Sequence, residues 1–294
     1  MMMIDLIAKA VVAGTPLLLA SMGEVISERS GVLNLGIEGA FVFGAAAAFT
    51  VTVLMGNVYL GLIVSGIVGV IIGILHGLVS VSFRGHQVVS GLALTIFGYG
   101  AASLIGKGMV GQPLPTYISA EGIWWVLIVF GILFSLLLWY IIFRLKIGAM
   151  LRAVGEDPHS AEILGVNVVK VRIIATILGS FMIGIGGGWY TLGYLHIWTE
   201  GLGIGRGWIS LAIVIVSGWN PILTPIFSYL FGGIEAAIWR LQLPPYNVDP
   251  YLLGILPYLI TLAALTIFMA TPLKRIFKPP ASLGLVYYKE ERTV

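Results

Sequence analysis

Long apolar runs divided by short polar breaks extend through most of this chain. Runs of about twenty such residues read as membrane-crossing helices. They fall near Leu6–Gly23, Leu33–Leu54, Val58–Phe83, Val88–Ile105, Ile123–Phe143, Ile173–Leu195, Trp208–Trp219, Ile222–Trp239 and Tyr251–Thr271. The seventh is short, and Asn220-Pro221 either ends it or kinks a longer hairpin. The first is placed like a cleaved leader, but it lacks a small-x-small cleavage site and is read as a span. Polar residues from Glu24 to Gly31 are taken as the break before the second run. The pattern predicts an all-α, polytopic transmembrane bundle of about eight to ten spans. Residues 1–271 would form the transmembrane domain, with a cytoplasmic loop at 144–172, and residues 272–294 a cytoplasmic tail.

Composition agrees with lipid as the solvent. Of the 294 residues 59% are hydrophobic and 10% charged, and the mean hydropathy is +1.03. A soluble domain carries about a quarter charged residues, so this much apolar surface cannot all be hidden from water. No polar block suggests a fused soluble module. The absence of Cys excludes disulfides, a thiol nucleophile and Cys-based metal sites.

Positive charge sets the expected orientation. Arg144, Lys146, Arg152, Lys170 and Arg172 crowd one connection, and Lys274, Arg275, Lys278, Lys289 and Arg292 crowd the tail. Both segments are placed in the cytoplasm, consistent with the four spans between them, and counting backward from the loop puts the amino terminus outside. Connections near 106–122, 196–206 and 242–250 hold few positive residues and face outward. Gly69, Gly73 and Gly77 form a small-residue stripe, and Gly184 to Gly188 a dense glycine patch. Either is a site of close helix packing or part of a moving element.

Catalytic patterns are missing. There is no Gly-x4-Gly-Lys-Ser/Thr phosphate loop, no Gly-x-Ser-x-Gly elbow, and no metal-binding spacing among His76, His86, His159 and His196. The reading is a non-enzyme without a cofactor and without nucleic acid as a partner. Asn34 and Glu38 stand four apart, which predicts one face at the start of a membrane helix. They form a polar patch beside a transport path or a bracket at the helix end. In the basic loop, Asp157 suits an N-cap, Pro158 a first turn, and Gly165 a left-handed stop. The result is a helix of about two turns, either a handle for a partner or an ordinary interfacial helix. Ala161 and Gly165 are small enough for a partner's groove to approach, and Glu162 offers it a charge.

Several segments carry a family resemblance. Residues Glu28 through Gly39 resemble the signature of permeases in the branched-chain amino acid, ribose and nucleoside group of ATP-binding cassette importers. Leu151 through Pro158 to Ala161, and Gly165-Val166-Asn167, resemble that family's cytoplasmic coupling loop. Gly203–Ala212 and Gly218-Trp219-Asn220-Pro221 resemble its later signature, and Pro279–Gly284 is similar to the end of its nucleoside branch. Val214–Ser217 departs from the family's usual run there, which leaves substrate preference open. The resemblance implies a cell-membrane permease working by alternating access. Its partners would be a second homologous permease, a cytoplasmic ATPase and an extracytoplasmic substrate-binding lipoprotein, all within membrane lipid. Asp157, Pro158, Ala161, Glu162 and Gly165 would mark the helix coupled to the ATPase. A nucleoside or related riboside is the expected cargo, with sugars or branched-chain amino acids as the alternative. Phe97, Tyr99, Trp189 and Tyr190 are candidates to stack on it, against a plain packing role. A reading from another class, an ATP-independent secondary transporter, needs an inverted repeat and ion-coupling acids, for which only Glu38 and Glu235 are available.

Overall fold

The computed structural model describes residues 2–270 and 278–289. Thr271, Pro272, Lys274, Arg275 and Arg292, which figure in the predicted last span and tail, lie outside them. Among the described residues the chain is helical, with no strand. The long helices are α1 (Met2–Arg29), α2 (Ile37–Met55), α3 (Val58–Gly77), α4 (Gln87–Gly106), α5 (Trp124–Arg144) and α8 (Val168–Trp189). All six are long and apolar enough to cross a membrane. Two short helices, α6 (Lys146–Glu156) and α7 (Pro158–Ile163), fill the basic loop. The chain closes with α9 (Arg206–Val216), α10 (Thr224–Leu241) and α11 (Pro250–Ala270).

The predicted boundaries around the first break move, and the sixth long helix starts at Val168, inside the predicted loop. The first helix runs through Glu24 and Glu28 to Arg29, so those acids belong to a helix rather than to a break. Their carboxylates are buried and hydrogen-bonded, which is what lets the helix continue. The second helix begins at Ile37, after a non-helical stretch at Gly31–Gly36.

Packing centres on α8, which touches α1, α2 and α3. Its glycine patch explains how. A Cβ at Gly187 would lie 2.0 Å from the Phe41 carbonyl oxygen, and one at Gly184 would lie 2.2 Å from that of Ser65. Backbones this close exclude any larger residue, as small-residue interfaces in membranes require. Gly69 and Gly73 meet α8 the same way, whereas Gly77 has room to spare. By contrast, α5 lies at the rim. It buries Leu127, Gly131, Ser135, Leu138 and Ile142 at helical spacing and turns Leu133, Leu136 and Leu137 outward.

The seventh span is broken. A loop at 196–205 packs Trp198 beside Ala45 and Ala102 and brings Gly203 next to Phe41. Helix α9 starts only there, inside the bundle, and runs to the end that holds the α1 terminus, where Trp219 meets Glu28 and Arg29. Left-handed Trp219 turns the chain into α10, so Asn220-Pro221 ends the seventh element.

Candidate functional site

At the basic end, α6, α7 and the tail form one assembly. Asp157 caps α7, accepting from the His159 and Ser160 amides at 3.1 Å each. The Ser160 hydroxyl bonds the same carboxylate and, with those amides, holds its pKa below the usual range. At the other end Val166 N–H donates to Ala161 C=O at 3.0 Å and Gly165 N–H to Glu162 C=O at 2.8 Å. That is a Schellman stop, and it needs the left-handed backbone that Gly165 supplies at φ +85°.

Ala161 does not face outward. It is 1% exposed and packs on Val154, Val168 and Tyr287, so its small size serves the seat of the helix. Glu162 is likewise engaged from within, by the Tyr287 hydroxyl and by Lys289 at 3.6 Å. The outward face is instead Ile163 and Leu164, 86% and 81% exposed.

Residues 278–289 fold back over this end. The Ser282 amide donates to Gly155 C=O at 2.9 Å, and Gly284 to Gly31 C=O at 3.2 Å. Buried Arg172 donates to Ser282 Oγ at 2.9 Å, to Leu285 C=O at 3.1 Å and to Ser30 C=O at 3.2 Å. Gln87 ties Leu285 to Leu33. Tyr287 meets the His159 ring at a tilt, 5.3 Å between centroids, and burial together with its bond to Glu162 pushes its hydroxyl up to about 12. This strap was not anticipated as structured. Its trace in the sequence is the apolar run Leu285-Val286-Tyr287-Tyr288, unusual for a free tail. The helix α6 was also missed, although Leu151, Val154 and Gly155 bury one face of it.

Inside the bundle, Asn34 and Glu38 part company. Asn34 precedes the helix, and its side chain and amide bond Glu24 at 3.3 Å each. They cannot share a helix face, because the chain around Asn34 is held by Glu24 and is not helical. Glu38 reaches the other way. It accepts from Gly205 N–H, from Trp208 N–H at 3.0 Å and from Tyr99 O–H at 3.0 Å. A carboxylate from α2 thereby caps the start of α9, satisfying orphan amides and matching the positive end of the helix dipole.

The four aromatic candidates fall in different places. Phe97 is half exposed and meets Phe43 edge-on. Tyr99 packs with Val42, Phe49 and Trp198; Trp189 with Val11 and Leu127; Tyr190 with Ile37, Phe41 and Ile183. Tyr190 also donates to Glu235, which is ion-paired with Arg206 at 2.7 Å. Among the described residues no cluster of three metal-binding side chains occurs.

These features define a polytopic helical membrane protein with a broken span and a capped helix projecting from one end. Residues 6–265 match the family described as branched-chain amino acid transport system / permease component. The chain belongs to that family and is a permease of the cell membrane, without its own ATPase site. It is 35% identical to a chain of Haloferax volcanii described as a glucose ABC transporter permease, covering 89% of this chain and 90% of that one. It is 30% identical to the guanosine ABC transporter permease protein NupQ of Bacillus subtilis, covering 98% and 97%. Identity is 28% to the nucleoside ABC transporter permease protein NupC of Lactococcus lactis, covering 97% of each.

Proposed function

We propose that this chain imports nucleosides as one permease of an ATP-driven complex, with α7 as the element that a cytoplasmic ATPase pushes. The observation carrying the reading is the build of α7. It is capped at both ends, seated on Ala161, strapped by Tyr287, and presents Ile163 and Leu164 outward. A rigid short helix with an apolar tip suits a partner's groove. Guanosine and nucleoside permeases aligned over nearly the whole chain support the cargo. The guanosine permease NupP of Bacillus subtilis, 25% identical, supports a second, homologous permease beside this one. A substrate-binding lipoprotein would deliver the solute outside. The sugar alternative draws on the Haloferax relative.

Replacing Ile163 and Leu164 together by Glu tests the coupling role. Membrane insertion should persist, while ATPase retention and ATP-dependent guanosine uptake fall about thirty-fold, as for loss of a contact worth about 2 kcal/mol. Undiminished uptake would remove α7 from the coupling role, and uptake needing no ATPase would favour a secondary transporter.

Orientation is checked separately in a chain that has no native Cys. Ser160→Cys and Ala281→Cys, both exposed at the basic end, should resist an impermeant thiol reagent on intact cells. Gln112→Cys, in the loop after α4, should react. The opposite pattern inverts the topology.

A further inference from the structure

We propose that Arg206 and Glu235, with Tyr194 and Trp239 beside them, form a recognition site for a neutral polyhydroxylated ring on the translocation path. The site rests on the permease reading but not on which solute is carried. Arg206 begins α9, and the ten residues that follow it place it about 15 Å from that helix's basic end. Glu235 is six residues from the other end of α10, about 9 Å. Measured along these helices, both distances are short enough for the pair to sit inside a hydrocarbon layer about 30 Å thick.

The pair is only partly spent on itself. Arg206 Nη2 donates to Glu235 Oε1 at 2.7 Å, and Tyr190 O–H reaches the same oxygen at 3.4 Å. Arg206 Nε is buried without a partner, and so is the indole nitrogen of Trp189. Trp189 is followed directly by the wide turn that carries Tyr190 and Tyr194. Unpaired buried donors are uncommon, and each calls for an acceptor. The Arg206 side chain nonetheless keeps 27% of its surface accessible. A guanidinium open at this depth is costly against lipid chains, so the opening has to face a polar space, which the translocation path supplies.

Tyr194 and Trp239 line the same place. The Trp239 side chain stands beside that of Tyr194, and half of the Trp239 surface is exposed. Guanidinium donors and carboxylate acceptors together match the two faces of a sugar hydroxyl, which both donates and accepts. Aromatic faces add a platform for a flat base or for the apolar face of a sugar ring. The shared chemistry is the polyol, whether the ribose of a nucleoside or a hexose.

The test uses the assembled transporter in proteoliposomes. Trp239→Cys and Tyr194→Cys should react with a charged thiol reagent, while Leu133→Cys and Leu137→Cys on the lipid-facing side of α5 should not. Excess guanosine should slow the reaction at Trp239→Cys at least several-fold. If glucose protects and guanosine does not, the site stands and the nucleoside reading falls. If neither protects, or if neither Cys reacts, the site is not on the path. Glu235→Gln should raise the KM for guanosine about ten-fold in whatever complex assembles. An unchanged KM would reduce the pair to a structural bridge, and should this variant fail to assemble, protection at Trp239→Cys decides.

Discussion

Replacing Glu38 by Leu should all but abolish the folded protein, whereas Glu38→Gln should leave a reduced, measurable amount. The difference follows from what the carboxylate holds. Oε1 accepts from the Gly205 amide and the Tyr99 hydroxyl, and Oε2 from the Trp208 amide. Gln keeps one oxygen for the first two but turns its own N–H₂ toward Trp208. Leu abandons both amides. Water cannot readily replace the carboxylate, since a Cβ built on Gly207 would lie 2.4 Å from the Glu38 Cα. Each amide orphaned in this way costs about 1–3 kcal/mol. Losing the charge also forfeits up to about 2 kcal/mol of dipole stabilisation in such a buried setting. The sum is a large fraction of a typical stability of about 5–15 kcal/mol. Size-exclusion profiles of detergent-extracted protein would measure the surviving monodisperse fraction. Equal recovery of the Leu and Gln variants would show that Glu38 does not cap α9.

The bundle was legible because lipid imposes a simple rule on sequence. Runs such as Val58–Phe83 and Ile123–Phe143 announce helices by length alone, and the glycines of α8 announce close approach. The polar interior was harder to read. Spacing places Asn34 and Glu38 on one helical face only if the helix has already begun, and local spacing does not reveal that Glu24, ten residues earlier, holds Asn34 outside it. Burial of Ala161 was hidden for a related reason. The capping residues around it define the helix, but the face it turns inward depends on Tyr287, more than a hundred residues away. Arg172 reads as one of the basic residues of the loop, yet it lies within α8, where its task is to receive the strap and not to meet solvent.

That strap leads to the second large effect: Arg172→Met should release the tail and loosen α7 with it. Arg172 is 1% exposed and ties α8 to two other segments, through Ser30 before α2 and through Ser282 and Leu285 in the tail. Met fills a similar length without a donor, so the change removes three charge-assisted bonds while keeping the packing. Such bonds contribute about 1.5–3 kcal/mol each, and the Ser30 carbonyl would lose this donor. Hydrogen exchange reads the consequence directly. The amides of Ser282 and Gly284 donate to Gly155 and Gly31, and their protection should fall about a hundred-fold, equivalent to about 2.7 kcal/mol of local opening. Amides of α7 should exchange faster as well, since Tyr287 reaches Glu162 from the same tail. Tyr287→Phe separates the two effects: it should loosen α7 while the Ser282 amide stays protected. Ser282→Ala should combine with Arg172→Met less than additively, because both remove the same bond. Full protection of both segments in Arg172→Met would mean that the strap holds through its backbone contacts alone, and α7 would then owe its position to Ala161 and its caps.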